Sequence, residues 1–401
     1  MTTPKLVVYA DGPDGPLPRP AEVERAAGLA AGEPTDLLLG WVVREPEWLT
    51  TGNSEQRSNW NVRTFLVGTG TRRSVASGTV RSVPTRLSAI PGLLTSRLKP
   101  DIVVVGAWRD GPSWRLAGSP GWAGDVVGSA GGVVIERWPG VAPPGRPALG
   151  ECNVVGVFDR SDPPDPAPIN KTGGAYDVIG TNVASLVPRD ATLQWGPGSI
   201  GASVVAALRH PVRVHSGLVT DELAKLEQRG LLHGVARSAY MWGGRQLSGM
   251  LAEGRLELVN VSQSHDLGVL SRIERFVAVN TAIEIGLDGS VNVETAGGRA
   301  VAGPGGHPDF ALGAVASPGG LSIVAATSTA AGKSTIVKTC SVVSTPRCDV
   351  DVVVTEHGVA DLRDCTDAER ASRLISIADP QHREALRALA TGTGRAEAEV
   401  R

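Results

Sequence analysis

Short apolar runs of strand length recur along the chain, separated by stretches whose apolar positions fall at helical spacing. The runs are Asp36–Trp41, Asp101–Trp108, Gly132–Trp138, Ala191–Trp195, Val212–His215, Ser322–Thr327 and Val350–Thr355. Several, such as DIVVVGAW, are apolar throughout instead of alternating, which is the pattern of strands covered on both faces. Ala21–Ala31, Ala202–Arg209 and Asp221–Arg229 read as helices between them. This alternation predicts an α/β chain on mainly parallel sheets. Phe276–Ile285 and Ser290–Thr295 flank Leu287-Asp288-Gly289, and Asp-Gly is a favoured tight-turn pair, so a hairpin is expected there. Thr366-Asp367-Ala368-Glu369 forms a capping box, and Asp379-Pro380 supplies an N-cap with a first-turn proline. Two short helices should follow, with a frayed tail after Gly392.

The segment Arg160–Gly174 (RSDPPDPAPINKTGG) is the clearest linker. It divides the chain into residues 1–174 and 175–401, the second half opening on a helix at Ala175–Leu186. A length of 401 residues agrees with two domains. Charge narrows the function classes: 39 Lys+Arg against 41 Asp+Glu leave a net −2, which removes any bulk electrostatic case for nucleic-acid binding. The four cysteines, at 152, 340, 348 and 365, have no CxxC spacing and imply neither a zinc cage nor a disulfide framework. None of the seven histidines pairs at metal-ligand spacing, so no metal is expected. No apolar run reaches the roughly 18 residues a membrane helix needs, and the first residues lack a basic-then-apolar leader. The expectation is a soluble cytoplasmic protein with no membrane contact.

Candidate chemistry sits in glycine-dense turns. Gly196-Pro197-Gly198-Ser199-Ile200-Gly201 follows a strand and opens a helix, where glycines let a ligand approach backbone and the helix N-terminus offers N–H groups to an anion or oxyanion. A dinucleotide reading needs an acid at the end of the next strand, and none occurs before Asp221. An oxyanion loop and a plain tight turn remain open. Thr329–Thr335 imitates the end of a P-loop, yet Thr327 stands where the first glycine belongs and β-type sequence follows, so it is not a nucleotide triphosphate site. Gly303-Pro304-Gly305-Gly306-His307-Pro308-Asp309-Phe310 is a second unusual backbone path, either an anion nest or a connecting loop. Of nine tryptophans, Trp60, Trp195 and Trp242 are candidates to line a pocket.

Taken together, these stretches resemble the acetyl-CoA hydrolase/transferase family, which includes 4-hydroxybutyrate CoA-transferase and related class I CoA-transferases. Val279–Ala326 carries the likeness best, Val353–Arg363 and Ile375–Arg383 are similar to the family's C-terminal signature, and Gly196–Ile200 matches its glycine loop. The N-terminal half agrees more loosely, through Gly78–Pro84 and Glu136-Arg137-Trp138. The resemblance implies two open, mainly parallel α/β domains with the active site in the cleft between them. It implies an acyl-CoA substrate, a small carboxylate or water as acceptor, coenzyme A as cosubstrate with no bound cofactor, and a homodimer. In such enzymes a glutamate attacks the thioester to give an acyl anhydride and then a glutamyl-CoA thioester, which needs backbone donors at the oxyanion. Gly196, Gly198, Gly303, Gly305 and Gly306 fall where the family places those donors.

One departure matters more than the likeness. The family carries its nucleophile in a His-Ser/Thr-Glu pattern, and this chain reads His215-Ser216-Gly217, with Asp221 and Glu222 following. Glycine has no side chain, so double displacement through Gly217 is unavailable. His307 replaces a family glutamine. Replacement bases are His307 first, beside Asp309, and then His215 or Glu136. Three functions follow: CoA transfer or thioester hydrolysis by another residue, hydrolytic carbon–carbon cleavage of a β-oxoacyl-CoA or cyclic ketone thioester, and acyl-CoA binding without turnover.

Overall fold

The computed structural model describes residues 4–30, 32–51, 59–160, 165–167 and 169–391. The tail after Gly392, Ala31 and residues 161–164 and 168 of the proline-rich linker lie outside the described residues.

The first half contributes β1 (Lys5–Tyr9), β2 (Thr35–Leu39), β3 (Trp60–Thr64), β4 (Arg81–Ser82), β5 (Ile102–Asp110), β6 (Ser113–Leu116), β7 (Gly132–Arg137) and β8 (Val154–Asp159). They form one sheet in the order β4-β3-β2-β1-β5-β7-β8, parallel throughout except for β6, which returns antiparallel on β5. The second half supplies β9 (Thr192–Trp195), β10 (Arg213–Thr220), β11 (Ala236–Trp242), β12 (Leu256–Leu258) and β13 (Phe276–Thr281). After them come strands Leu321–Ala325, Val352–Thr355 and Gly358–Asp361. Their sheet runs β12-β11-β10-β9-β13 and then those three in sequence, only the last antiparallel. The two orders follow one plan. In each, the first strand lies inside, three strands run outward on one side, and the fifth starts the other side. The order therefore turns round between β1 and β5 and again between β9 and β13, which opens a crevice at the carboxyl ends of those strands.

The apolar runs explain why both sheets are covered on both faces. Val103 and Val105 of β5 join one buried cluster, while Ile102 and Val104 join the cluster on the opposite face. In the second sheet Ile323 and Ala325 face one cluster and Val324 the other. Each such side chain, once buried, contributes roughly 1.5–3 kcal/mol, so neither face tolerates polar positions along these strands. All seven apolar runs are strands, and the helices at Pro20–Ala27, Ala175–Leu186, Ser199–Ala207 and Asp221–Gln228 occupy the helical stretches.

Local signals are realised in detail. The Thr366 hydroxyl accepts from Glu369 N, and the Asp379 carboxylate accepts from Gln381 N. Thr329–Ala330 pairs with Lys333–Ser334 around Ala331 (φ 50°) and Gly332 (φ 76°), a tight β-turn in place of a phosphate loop. The expected hairpin around Asp288-Gly289 is shorter than the sequence suggested. Phe276–Thr281 departs into the large sheet, and only Glu284–Gly286 pairs with Val291–Asn292. The halves share one buried cluster, which joins Leu38, Val103 and Trp122 to Ala239, Tyr240 and Val261. Val261 N donates to Gly121 O (2.9 Å), Met241 N to Ser119 Oγ (2.9 Å) and Leu87 N to Gly305 O (3.1 Å) across the same junction.

Candidate active site

A cavity of about 360 Å3 lies where the two crevices meet. The first sheet sends Asp11 from the end of β1, Trp41 from beyond β2, and Leu66 from beyond β3. The second sends Trp195, Gly196 and Pro197 from the end of β9, Gly217 and Leu218 from β10, Tyr240 from β11, and Asn280 from β13. Gly303–His307 forms the remaining wall with His265 and Phe310.

Gly217 lies in the middle of β10 and has no room for a side chain. A Cβ built on it would stand 2.9 Å from Phe310 Cε2 and 3.0 Å from His265 Nε2. His265 also presses on the other loop, since a Cβ on Gly306 would lie 2.6 Å from the same nitrogen. The imidazole is fixed by a 2.8 Å contact between Nδ1 and Ser264 Oγ and by a tilted ring contact with Phe310 at 4.5 Å between centroids. Its Nε2 is buried without a partner, and burial, with His215 nearby, pulls its pKa down to about 3.

Of the residues expected from the sequence, Gly196, Gly217, Gly303, Gly305, Gly306 and His307 line this cavity. His307 binds Thr345 Oγ1 through Nδ1 (2.7 Å) and leaves Nε2 unpartnered, with burial lowering its pKa to about 4. Gly198 does not line the cavity: with φ 115° it caps the helix Ser199–Ala207. Gly196 does line it, but its N–H donates to Val279 O (3.1 Å) and is not free for an oxyanion. His215 lies behind the wall, its Nε2 on Ser264 O (2.9 Å) and its ring edge-on to Phe276, and burial lowers its pKa. Asp309 turns away to Ser88, whose N and Oγ both donate to it (3.0 and 2.7 Å). Burial raises that carboxyl to about 6 against the pull of those two bonds. Glu136 is elsewhere altogether, paired with Arg160 (2.8 Å) in a separate small cavity shared with Arg44 and Trp48. The expectation that it faces the cleft is corrected: β7 lies beyond β5, away from the reversal point, and Arg160 holds the carboxylate there. Among the tryptophans, Trp195 lines the cavity, Trp242 lines a different one, and Trp60 is buried with its indole N–H on Glu24.

Three residues escaped the sequence reading: His265, Tyr240 and Asp11. Tyr240 O–H donates to Asp11 Oδ2 at 2.7 Å across the junction of the halves, and Trp41 stands edge-on to Tyr240 at 6.3 Å. Burial pushes Asp11 up to about 7, although the Tyr240 hydrogen bond works the other way. The only local signal for Asp11 is an acid directly after an apolar strand. Polar groups also stand on the second sheet's side, where Gln194 Nε2 reaches Asn280 Oδ1 (3.3 Å) while Gln194 Oε1 and Asn280 Nδ2 stay unpartnered. Among the described residues no group of three or more His, Cys, Asp or Glu is placed to hold a metal, and no helix is long and apolar enough to cross a membrane.

With this geometry in view, residues 243–390 match the acetyl-CoA hydrolase/transferase C-terminal domain. The 4-hydroxybutyrate coenzyme A transferase of Clostridium kluyveri is 33% identical over 232 residues, 54% of this chain and 54% of that protein. The succinyl-CoA:cyclohexane-1-carboxylate CoA transferase of Geobacter metallireducens is 28% identical over 335 residues, 78% of this chain and 76% of its own. The chain spans about half the length of the Clostridium relative, 54%. Among solved structures, RipA from Yersinia pestis superposes with a TM-score of 0.82 at 23% identity, covering 97% of this chain and 94% of RipA, a likeness of fold. Residues 243–390 thus carry the acetyl-CoA hydrolase/transferase C-terminal domain, and the relatives that the chain resembles are CoA transferases.

Proposed function

We propose that the chain is an enzyme that opens the CoA thioester of an acyl-CoA in this cleft, by transfer or hydrolysis, without forming an acyl anhydride on the protein. The relatives' names support CoA chemistry as the class. The observation that carries the mechanism is the packing around Gly217. By the resemblance this is the position of the family's glutamate, and the volume that a carboxylate would need is taken by His265 and Phe310. Backbone donors for the oxyanion then come from the Gly303–Gly306 loop, because the Gly196 N–H is already engaged. His307 stays neutral and presents an unpartnered Nε2 to the same space. The division of the chain at 174/175, a homodimeric assembly and a cytoplasmic setting belong to the same reading.

The test is a mass-spectrometric turnover assay over a panel of acyl-CoAs, with and without acetate, followed by hydroxylamine or borohydride trapping. The expected result is consumption of at least one acyl-CoA with no trapped enzyme–CoA thioester. A trapped thioester on the wild-type protein overturns the reading. Gly217→Glu is informative only beside His265→Ala, which clears space for the new carboxylate, and exchange onto acetate gained in that double variant supports the assignment of position 217.

A second reading is favoured by the unpartnered Asn280 Nδ2, a donor placed for a second carbonyl of the substrate. In that reading water cleaves a carbon–carbon bond of a β-oxoacyl-CoA or cyclic ketone thioester. The product then keeps its thioester and gains the mass of water.

A further inference from the structure

Asp11 lies two residues beyond the end of β1, at the point where the first sheet's order turns round. It is 4% exposed and lines the cavity. Two glycines leave room for it. A Cβ on Gly40 would fall 2.3 Å from Asp11 Cβ, and one on Gly121 would fall 2.7 Å from Oδ1. Tyr240 donates to Oδ2, and the Trp122 indole and a backbone N–H are the other donors bearing on the carboxyl, all of them neutral. Among the described residues no lysine, arginine or histidine forms an ion pair with it. A buried carboxyl held by neutral donors alone is a costly way to position a tyrosine, because an asparagine would accept the same bond without a charge to desolvate.

We propose, building on the acyl-CoA reading above, that Asp11 takes the proton from a water attacking the thioester carbonyl, with Tyr240 as its positioning residue, so that this cleft hydrolyses acyl-CoA. The nature of the acceptor supports water. A carboxylate acceptor arrives ionised and has no proton to remove, whereas water becomes a competent nucleophile only when a base removes one. In the step, the Asp11 carboxylate takes a proton from water while the water oxygen bonds to the carbonyl carbon. The tetrahedral adduct then breaks its carbon–sulfur bond, and the departing thiolate takes the proton back from the Asp11 carboxylic acid. The products are the free acid and the CoA thiol, and Asp11 is again a carboxylate.

The other acids and bases near the cleft suit the role less well. His265 and His307, held neutral to about 3 and about 4, are weak proton acceptors. Asp309 is engaged by Ser88, and Glu136 lies outside the cavity. Asp11 at about 7 has the acidity that general-base catalysis near neutrality asks for. The titratable groups bearing on it are Tyr240, His265 and His307 around the cavity, and Asp125, which acts through Tyr240.

The experiment uses the full chain with the acyl-CoA panel in 18O-labelled water. Wild type is expected to release free CoA and an acid carrying one label from solvent, with kcat/KM rising with pH through a midpoint near 7. Asp11→Asn should lower kcat by about 100-fold or more while changing KM little. Tyr240→Phe removes a donor that favours the carboxylate, so the midpoint should move to higher pH while much of kcat is retained on the alkaline plateau. Melting curves report whether each variant is folded. An Asp11→Asn variant within tenfold of wild type, or a midpoint unmoved by Tyr240→Phe, overturns the assignment of Asp11 and leaves the acyl-CoA reading standing. Turnover only with acetate, with no solvent label in the acid, does the same. If wild type consumes no acyl-CoA at all, the functional reading itself falls and this inference falls with it.

Discussion

At the end of β1 the chain reads Tyr9-Ala10-Asp11-Gly12, and at the end of β9 it reads Trp195-Gly196-Pro197-Gly198. Both segments leave the innermost strand of a sheet where the strand order turns round, and both reach the same cavity. The first half fills this point with an ionisable side chain packed among glycines. The second half fills it with backbone: Gly196 is engaged with Val279, Gly198 caps a helix, and Gly217 on the next strand is kept bare by His265 and Phe310. One strand plan therefore delivers an acid at the reversal point of one sheet and a glycine turn at the reversal point of the other. Topology fixes where chemistry can be placed, and the individual residues decide which wall supplies it.

The largest effect that would break this contrast concerns pH. Folding raises Asp11 from 3.8 to about 7 and Asp309 from 3.8 to about 6, both chiefly through burial. The folded chain thus holds protons that the unfolded chain has already released. This source of stability is intact below about pH 4 and is lost as pH climbs through about 7. Asp11→Asn should therefore melt several degrees above wild type at pH 8, with the gap closing toward pH 4, a difference on the order of a few kcal/mol. A gap that is the same at both pH values would mean that Asp11 is not held protonated by the fold.

On the glycine wall, Gly306→Ala would drive a Cβ to 2.6 Å from His265 Nε2. About 1–3 kcal/mol should be lost, measurable as a lower urea midpoint, and His265→Ala should restore most of it. Ser88→Ala tests the strap between the halves. It removes the hydroxyl that donates to Asp309 and leaves the backbone N–H in place, so about 1 kcal/mol should be lost above pH 7, with a smaller loss at pH 5 where that carboxyl is protonated. Gly196→Ala is the smallest: its Cβ meets nothing within 4 Å, and a change below about 1 kcal/mol in the same urea titration is expected. A large loss there would mean that the second half's reversal point is as tightly constrained as the first.

Much of this architecture was legible in the chain. Runs such as DIVVVGAW are strands because nothing polar interrupts them, and burial on both faces leaves no other use for them. The glycine loops at 196 and 303 were legible as well, and both reach the cavity. Trp60–Thr64 and Ala236–Trp242 were not picked out as strands, because arginine, asparagine and serine interrupt their apolar pattern. That omission hid Tyr240. Its bond to Asp11 spans 229 positions, and no local pattern of spacing encodes a contact between residues so far apart. His265 was passed over for the same reason: it follows a short helical turn in an ordinary polar stretch, and its importance comes from Gly217 and Gly306, which are remote in sequence. Glu136 shows the converse. Its place at the end of an apolar strand suggested the cleft, but the strand's position in the sheet and Arg160 put it elsewhere.

The hydrogen bond between Tyr240 and Asp11 also makes the junction of the halves a proton-linked latch. Asp11 is a weak acid because burial at the junction of the halves desolvates its carboxyl. Any separation that hydrates the carboxyl returns it toward ordinary acidity, so at neutral pH opening the latch releases a proton and closing it takes one up. By linkage, rising pH must favour the open arrangement to the same degree that opening favours proton release.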